Sequence, residues 1–88
     1  MENNIINEKE VSIVWQNETY KKLGIRIAYI RKLRGWDQDK LAREVGLTSS
    51  YISKIETGNR SGVSMDTYAS IADALGIPLW KLVKIDEE

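Results

Sequence analysis

Several features are missing from this 88-residue chain, and each absence excludes a class of protein. It contains no cysteine, which excludes disulfides and thiolate metal sites. It contains no histidine, and it has no paired acids in a plausible cleft, no glycine-rich phosphate loop and no nucleophile motif. No apolar run approaches the roughly 20 residues of a membrane span, and the charged start lacks the apolar stretch of a signal peptide. We therefore expect a cytoplasmic protein that is not an enzyme and uses neither a metal nor a cofactor.

Charge is unevenly distributed along the chain, although 13 basic and 13 acidic residues give a formal net charge of zero. Residues 1–19 and residues 61–88 each sum to −3, whereas residues 20–60 carry ten basic against four acidic side chains. A positive centre between acidic flanks is expected of a domain that binds a polyanion with one face. Charged runs are also ordinary solvated surface, so this pattern alone does not identify the partner.

The segment from Gln38 to Glu56 has the pattern of two short amphipathic helices that meet at Gly46. Asp37 and Thr48 are placed to cap them, because their side-chain oxygens can accept from free backbone N–H groups. At Gly46 the left-handed conformation that ends a helix would cost another residue roughly 1–2 kcal/mol. Such a hairpin occurs in many all-α proteins. Here the outward face of the second helix is small, hydroxylic and basic, which favours contact with the major groove of DNA.

Patterns elsewhere predict three more helices and one extended segment. Helix one should run from about Thr19 to Lys32, helix four should lie between Ser64 and Gly76, and helix five should begin at Pro78. Val11, Ile13 and Trp15 alternate with Ser12, Val14 and Gln16, which predicts a short extended segment. The side chains expected in the core include Leu23, Ile27, Ile30, Leu33, Trp36 and Trp80. Trp15 is expected to pack against helix five or against a second copy of the chain.

From Leu23 to Val83 the sequence resembles the phage-repressor type of helix-turn-helix domain, the Cro-like or xenobiotic-response-element (XRE) family. The residues that carry the resemblance are Leu23-Gly24-Ile25-Arg26-Ile27, Leu33-Arg34-Gly35-Trp36-Asp37-Gln38, Leu41-Ala42, Gly46-Leu47-Thr48, Tyr51 through Arg60, Ile71-Ala72 and Leu75-Gly76-Ile77-Pro78-Leu79. The resemblance implies an all-α fold, a compact five-helix repressor-like DNA-binding domain. With the extended segment, it suggests an N-terminal arm that is extended or partly disordered (1–17), the DNA-binding domain (18–85) and an acidic tail (86–88).

The same resemblance implies roles for individual residues. In the family's docking mode, helix three (about 49–57) lies in the major groove with its first residues on base edges. The base-contacting positions are then Ser49, Ser50, Ser53 and Lys54. The phosphate-contacting positions are Gln38, Arg43, Tyr51, Thr57, Asn59 and Arg60, where Gln38 could instead brace helix three and Tyr51 could instead cover a helix crossing. Arg31 and Glu56 are expected to form a structural pair.

These inferences predict a sequence-specific transcriptional regulator of double-stranded DNA, acting as a repressor. One recognition helix covers few bases, so a homodimer on an inverted repeat is expected, with half-sites roughly 34–36 Å apart. The alternative is an antitoxin or protein-interaction module built on the same fold. In that case the hydrophobic N-terminal arm would serve the protein partner, whereas Gln38, Lys54 and Arg60 would serve DNA.

Overall fold

Five α-helices form the part of the chain that the structure describes, residues 8–84, with side chains from residue 18 onward in this computed structural model. They are α1 (Glu8–Leu33), α2 (Gln38–Val45), α3 (Ser49–Glu56), α4 (Met65–Leu75) and α5 (Leu79–Val83). No strand occurs in the described range, and the predicted all-α, five-helix fold is confirmed. None of these helices is both long and apolar enough to cross a membrane.

The N-terminal segment departs from the prediction. α1 begins at Glu8 rather than near Thr19, so the extended conformation expected over residues 11–16 is wrong. No glycine or proline lies between Glu8 and Leu23, and a helix nucleated by packing of its later turns extends by one hydrogen bond per added residue. Six alternating residues are a weak strand signal against that cooperativity. The predictions for residues 1–7 and for the tail 86–88 lie outside the described residues, and the side-chain environment expected for Trp15 does so as well.

The helix ends near the turn have the predicted caps. Asp37 Oδ1 accepts from the Lys40 backbone N–H at 2.8 Å, and Thr48 Oγ1 accepts from the Tyr51 N–H at 3.1 Å. Gly46 ends α2 in the left-handed conformation with φ 72°. Each side-chain cap stabilises its helix by typically about 1 kcal/mol. Because three local signals agree, the sequence defines the α2–α3 turn closely.

The core is formed by the inward faces of all five helices. α1 contributes Leu23, Ile27 and Ile30 at helical spacing, and the remaining buried apolar residues are Leu41, Ala42, Ile52, Ile55, Val63, Tyr68, Ile71, Ala72, Leu75 and Leu82. Trp36 packs against this core as a partly buried side chain. Two expected core residues are exposed instead: Leu33 at 63% and Trp80 at 59%.

Helical geometry explains both exposed residues. Continuing the α1 core face one turn beyond Ile30 leads to position 34 as well as 33, and Arg34 lies on the side of α4, where its Nε donates to the Leu75 carbonyl. Leu33 is thereby rotated toward solvent. In the short α5 the inward positions are three residues apart and end at the fully buried Leu82, which leaves the intervening Trp80 outside.

Glycine at position 24 allows α1 and α3 to cross in backbone contact. A Cβ at Gly24 would lie 2.6 Å from the Glu56 carbonyl oxygen and closer still to that of Ile55. Only hydrogen fits at such an approach. The end of α3 is therefore seated directly on α1.

Candidate nucleic-acid interface

α3 has one face in the core and the opposite face on the surface. Ile52 and Ile55 are buried at 0% and 2% exposure and anchor the inner face. On the outer face Ser50 and Lys54 are exposed one turn apart, and Ser53 is half-buried beside them. The structure thus brings together three of the four residues predicted to contact bases.

The fourth predicted base-contacting residue, Ser49, is held against α2. Its hydroxyl donates to the Asp39 carboxylate in the first turn of that helix. Thr57, one turn beyond Ser53, similarly donates its hydroxyl to the Ser53 carbonyl at 3.0 Å. Both hydroxyl hydrogens are engaged within the protein, so these side chains present acceptor lone pairs to a ligand.

A buried ion pair fixes the C-terminal end of α3. Arg31 of α1 donates through Nε to Glu56 Oε2 at 2.6 Å and through Nη2 to Oε1 at 2.9 Å. A third donor, Nη1, reaches the Trp36 carbonyl at 2.7 Å. Arg31 and Glu56 are 6% and 7% exposed. Hydrogen bonding to Glu56 raises the pKa of Arg31 above its ordinary value against the opposing effect of burial.

Gln38, the first residue of α2, joins this pair. Its Nε2 donates to Glu56 Oε1 at 2.9 Å, and the side chain is half-buried. This contact with the last residue of α3 agrees with the alternative role expected for Gln38, which is to brace helix three. One amide hydrogen and the amide oxygen are left, and a phosphate contact through them stays a prediction.

The remaining predicted phosphate contacts lie on the outer surface around α3. Asn59 and Arg60 are exposed in the loop that follows the helix. The Arg60 guanidinium lies 5.3 Å from the centroid of the Tyr51 ring, a cation–π distance, and Tyr51 is half-buried against the core. Arg43 is exposed near the end of α2. Asn59, Arg60 and Arg43 thus remain at the surface, whereas Tyr51 is partly covered by the core.

Fewer of the central basic side chains are free to reach a ligand than the sequence suggests, although ion pairing leaves the net charge of residues 20–60 unchanged. Arg31 is neutralised by Glu56, and Lys40 pairs with Glu44 at 3.1 Å. Arg26 donates to the Lys81 carbonyl at 3.0 Å, so its guanidinium is directed to α5. Several of the ten basic residues therefore serve the fold rather than the outer face of α3.

Sequence reasoning missed two residues that shape this region. Asp39 holds Ser49, and nothing in the sequence distinguishes Asp39 from an ordinary acidic residue in a first helical turn. Gly24 had a signal: a glycine inside an apolar helical pattern costs roughly 1 kcal/mol relative to alanine, and usually has a packing reason.

Comparisons with known proteins match the helical segment that contains α2 and α3. The helix-turn-helix family HTH_3 matches residues 27–79, more than half of the chain. The Neisseria hypothetical transcription factor of Neisseria meningitidis serogroup B is 30% identical over 66 residues, which are 75% of this chain and 61% of that protein. The chain therefore spans less than two thirds of the length of this relative.

Two solved structures are similar in both sequence and fold. The restriction-modification controller protein C.AhdI from Aeromonas hydrophila is 35% identical with a TM-score of 0.68, over 72% of this chain and 94% of that one. The clp gene regulator ClgR from C. glutamicum is 26% identical with a TM-score of 0.70, over 74% of this chain and 83% of that one.

Proposed function

This chain belongs to the HTH_3 helix-turn-helix family of transcriptional regulators, and we propose that it binds double-stranded DNA sequence-specifically with α3 in the major groove. The observation that carries the proposal is the outer face of α3. Ser50, Ser53 and Lys54 face outward there from a helix whose end is fixed by Gly24 and by the Arg31–Glu56 pair. The proposed activity is binding, and it needs no catalytic residue.

The dimensions and chemistry of α3 suit a groove. An α-helix with its side chains is about 10–12 Å across, which matches the roughly 12 Å width of the major groove, and the eight residues of α3 extend about 12 Å along it. Lys54 can donate to guanine O6 and N7, so it takes most of the direct base discrimination in this proposal. Ser50 and Ser53 read bases weakly, and Ser49 can only accept, because its hydroxyl hydrogen goes to Asp39.

Contacts to the DNA backbone are assigned to the residues that surround α3. Arg60, Asn59 and Arg43 supply exposed donors, and the N-terminus of α2 adds the positive end of its dipole next to Gln38. Tyr51 and Thr57 are assigned smaller shares, since Tyr51 lies beside Arg60 and the Thr57 hydrogen is engaged. These contacts would set register and general affinity rather than sequence preference.

The regulator is proposed to act as a homodimer on an inverted repeat and as a repressor. Eight helical residues read only a few base pairs, and two-fold pairing of half-sites roughly 34–36 Å apart would double the sequence that is read. The alternative proposal is a protein partner that binds through the N-terminal segment. HTH_3 regulators bind double-stranded DNA, so DNA is the first ligand to test.

Selection of bound fragments from a random DNA pool is the starting experiment. An enriched inverted repeat is expected, and sedimentation of the complex should give two chains per site. On that DNA, Lys54→Ala should weaken binding by about 1–3 kcal/mol and relax the preference at one base pair. Arg60→Ala should weaken operator and unrelated DNA alike and lower the salt slope by about one.

Lys81→Ala serves as the charge-matched control, because Lys81 is exposed on α5 and is not among the residues assigned to the DNA-binding face. It should bind like the parent. If Lys54→Ala and Arg60→Ala both match the control on the selected DNA, the assigned face is wrong. If no sequence is enriched from the pool, sequence-specific DNA binding is refuted and the interaction-module alternative is favoured.

A further inference from the structure

The loop after α3 is seated on α1 rather than standing free. Gly58 adopts φ +74°, and a Cβ there would lie 2.9 Å from the Lys21 Cα. Four residues farther along, the Gly62 backbone N–H donates to the Tyr20 hydroxyl at 3.0 Å. Adjacent residues of α1 therefore contact both ends of the segment that contains Asn59, Arg60 and Ser61.

These contacts create a polar recess between the loop and α1. It has a volume of about 350 Å³ and is lined by Lys21, Gly58, Asn59 and Ser61. Lys21 is exposed, and among residues 18–84 it has no ion-pair partner. The recess thus combines an ammonium group that pairs with no acidic side chain of residues 18–84 with an amide and a hydroxyl that can also donate.

We propose that this recess binds a phosphodiester group of the DNA backbone, with Lys21 as its charged ligand and Tyr20 as a positioning residue. The proposal rests on the DNA-binding function above and adds α1 to the binding surface. Lys21 supplies charge attraction, while Asn59 and Ser61 complete the donor set for a tetrahedral anion. Tyr20 acts through Gly62, since its hydroxyl ties the loop to α1 in the conformation that forms the recess.

Proximity to Arg60 distinguishes a DNA phosphate from an isolated anion as the occupant. Arg60 follows Asn59 directly and its guanidinium lies over the Tyr51 ring of α3, so the recess and the predicted groove-side contacts share one loop. A single bound strand could contact Lys54, Arg60 and Lys21 in turn. Free inorganic phosphate has the same chemistry, and the experiment therefore tests it separately.

Lys21→Gln is the first test, measured on the selected DNA at 50 to 200 mM salt, with Lys81→Gln as the control. One lost phosphate contact should lower the salt slope by about 0.9, so the weakening relative to the parent should shrink about 3- to 4-fold over this range. Operator and unrelated duplex should be weakened equally. Lys21→Gln behaving like Lys81→Gln would overturn the inference, while normal losses in Lys54→Ala and Arg60→Ala would leave the proposed function intact.

Neutral methylphosphonate substitutions, placed one at a time along the operator, identify the phosphate. One position should weaken binding to the parent protein but not to Lys21→Gln, because both changes remove the same interaction. Tyr20→Phe retains the ring and the lysine, yet it should reduce the sensitivity at that same position and lower the salt slope. Equal sensitivity of the parent and Lys21→Gln at every position would refute the assignment.

Inorganic phosphate alone provides the last test. The amide resonances of Gly58 and Ser61 should shift when duplex DNA is added at concentrations where inorganic phosphate leaves them unchanged. Saturation by inorganic phosphate with no response to DNA would show a free-anion site and would overturn the DNA assignment. Absence of binding to any DNA by the parent protein would instead refute the proposed function.

Discussion

Replacement of Arg31 by methionine tests how the C-terminal end of α3 is held. The substitution removes both hydrogen bonds to Glu56 and the one to the Trp36 carbonyl, and it leaves Glu56 with Gln38 as a neutral donor. Glu56 is only 7% exposed, so its carboxylate cannot regain full hydration. Stranding one partner of a buried ion pair costs about 3–5 kcal/mol.

That loss is large for a chain of this size. At about 0.05–0.15 kcal/mol per residue, an 88-residue chain is stable by roughly 4–13 kcal/mol. Each kcal/mol lowers the Tm of a small domain by about 4–8 °C, so Arg31→Met should lower it by at least about 12 °C. Urea unfolding followed by circular dichroism measures the change in free energy directly. Arg43→Met, at an exposed arginine, should change it by less than about 0.5 kcal/mol.

A double variant separates the cost of leaving one buried charge unpaired from the cost of losing the ion pair itself. Arg31→Met with Glu56→Leu leaves no stranded charge, and apolar replacement of a buried pair is often neutral or stabilising. The double variant should therefore be more stable than Arg31→Met alone, although the Trp36 carbonyl still lacks its donor. A loss below about 1 kcal/mol in Arg31→Met, or a double variant less stable than the single one, would refute the reasoning.

Two further predictions concern close packing and alkaline pH. Gly24→Ala should destabilise the protein by about 2 kcal/mol or more in urea unfolding, since the added Cβ would overlap the Ile55 and Glu56 carbonyls. The control Gly46→Ala, which has open space around it but a φ of +72°, should cost about 1 kcal/mol. Equal losses in the two variants would contradict the close crossing of α1 and α3. Burial raises the pKa of Tyr68 from 10.0 to about 12. Its contribution to stability is therefore complete below pH 10 and is lost from pH 10 to 12 at about 1.4 kcal/mol per pH unit, a slope that Tyr68→Phe should lack.

The α2–α3 unit could be predicted from sequence because its determinants are local. Asp37 and Thr48 cap the residues that follow them, and Gly46 ends a helix through its own backbone conformation. Each signal acts within about four residues and all point to the same turn. The pairing of Arg31 with Glu56 spans 25 residues, and its prediction came from the family resemblance rather than from any local pattern.

What could not be predicted depends on contacts between distant segments. The donor hydrogen of Ser49 is lost to Asp39 on another helix, and Tyr20 meets Gly62 across 42 residues. Neither pair has a spacing that a helical or strand period would reveal. The start of α1 was missed for a different reason: helix extension is cooperative, so the conformation of residues 8–18 depends on the packing of later turns.

The basic side chains divide into those bonded within the fold and those left exposed, and this division bears on the proposed function. A sequence tally treats residues 20–60 as one positive segment, but the fold uses arginine side chains as fixed multiple donors: Arg31 to Glu56 and Trp36, and Arg34 to the last carbonyl of α4. In the proposed complex, the DNA-facing roles fall to side chains that remain exposed, Lys21, Arg43, Lys54 and Arg60 among them. Lys54 lies near the end of α3 and Arg60 in the loop that follows it, and both segments rest on α1. The backbone positions of these two residues are therefore set by the scaffold. A neutral chain can therefore present a cationic face, and the geometry of that face depends on the charges that lie beneath it.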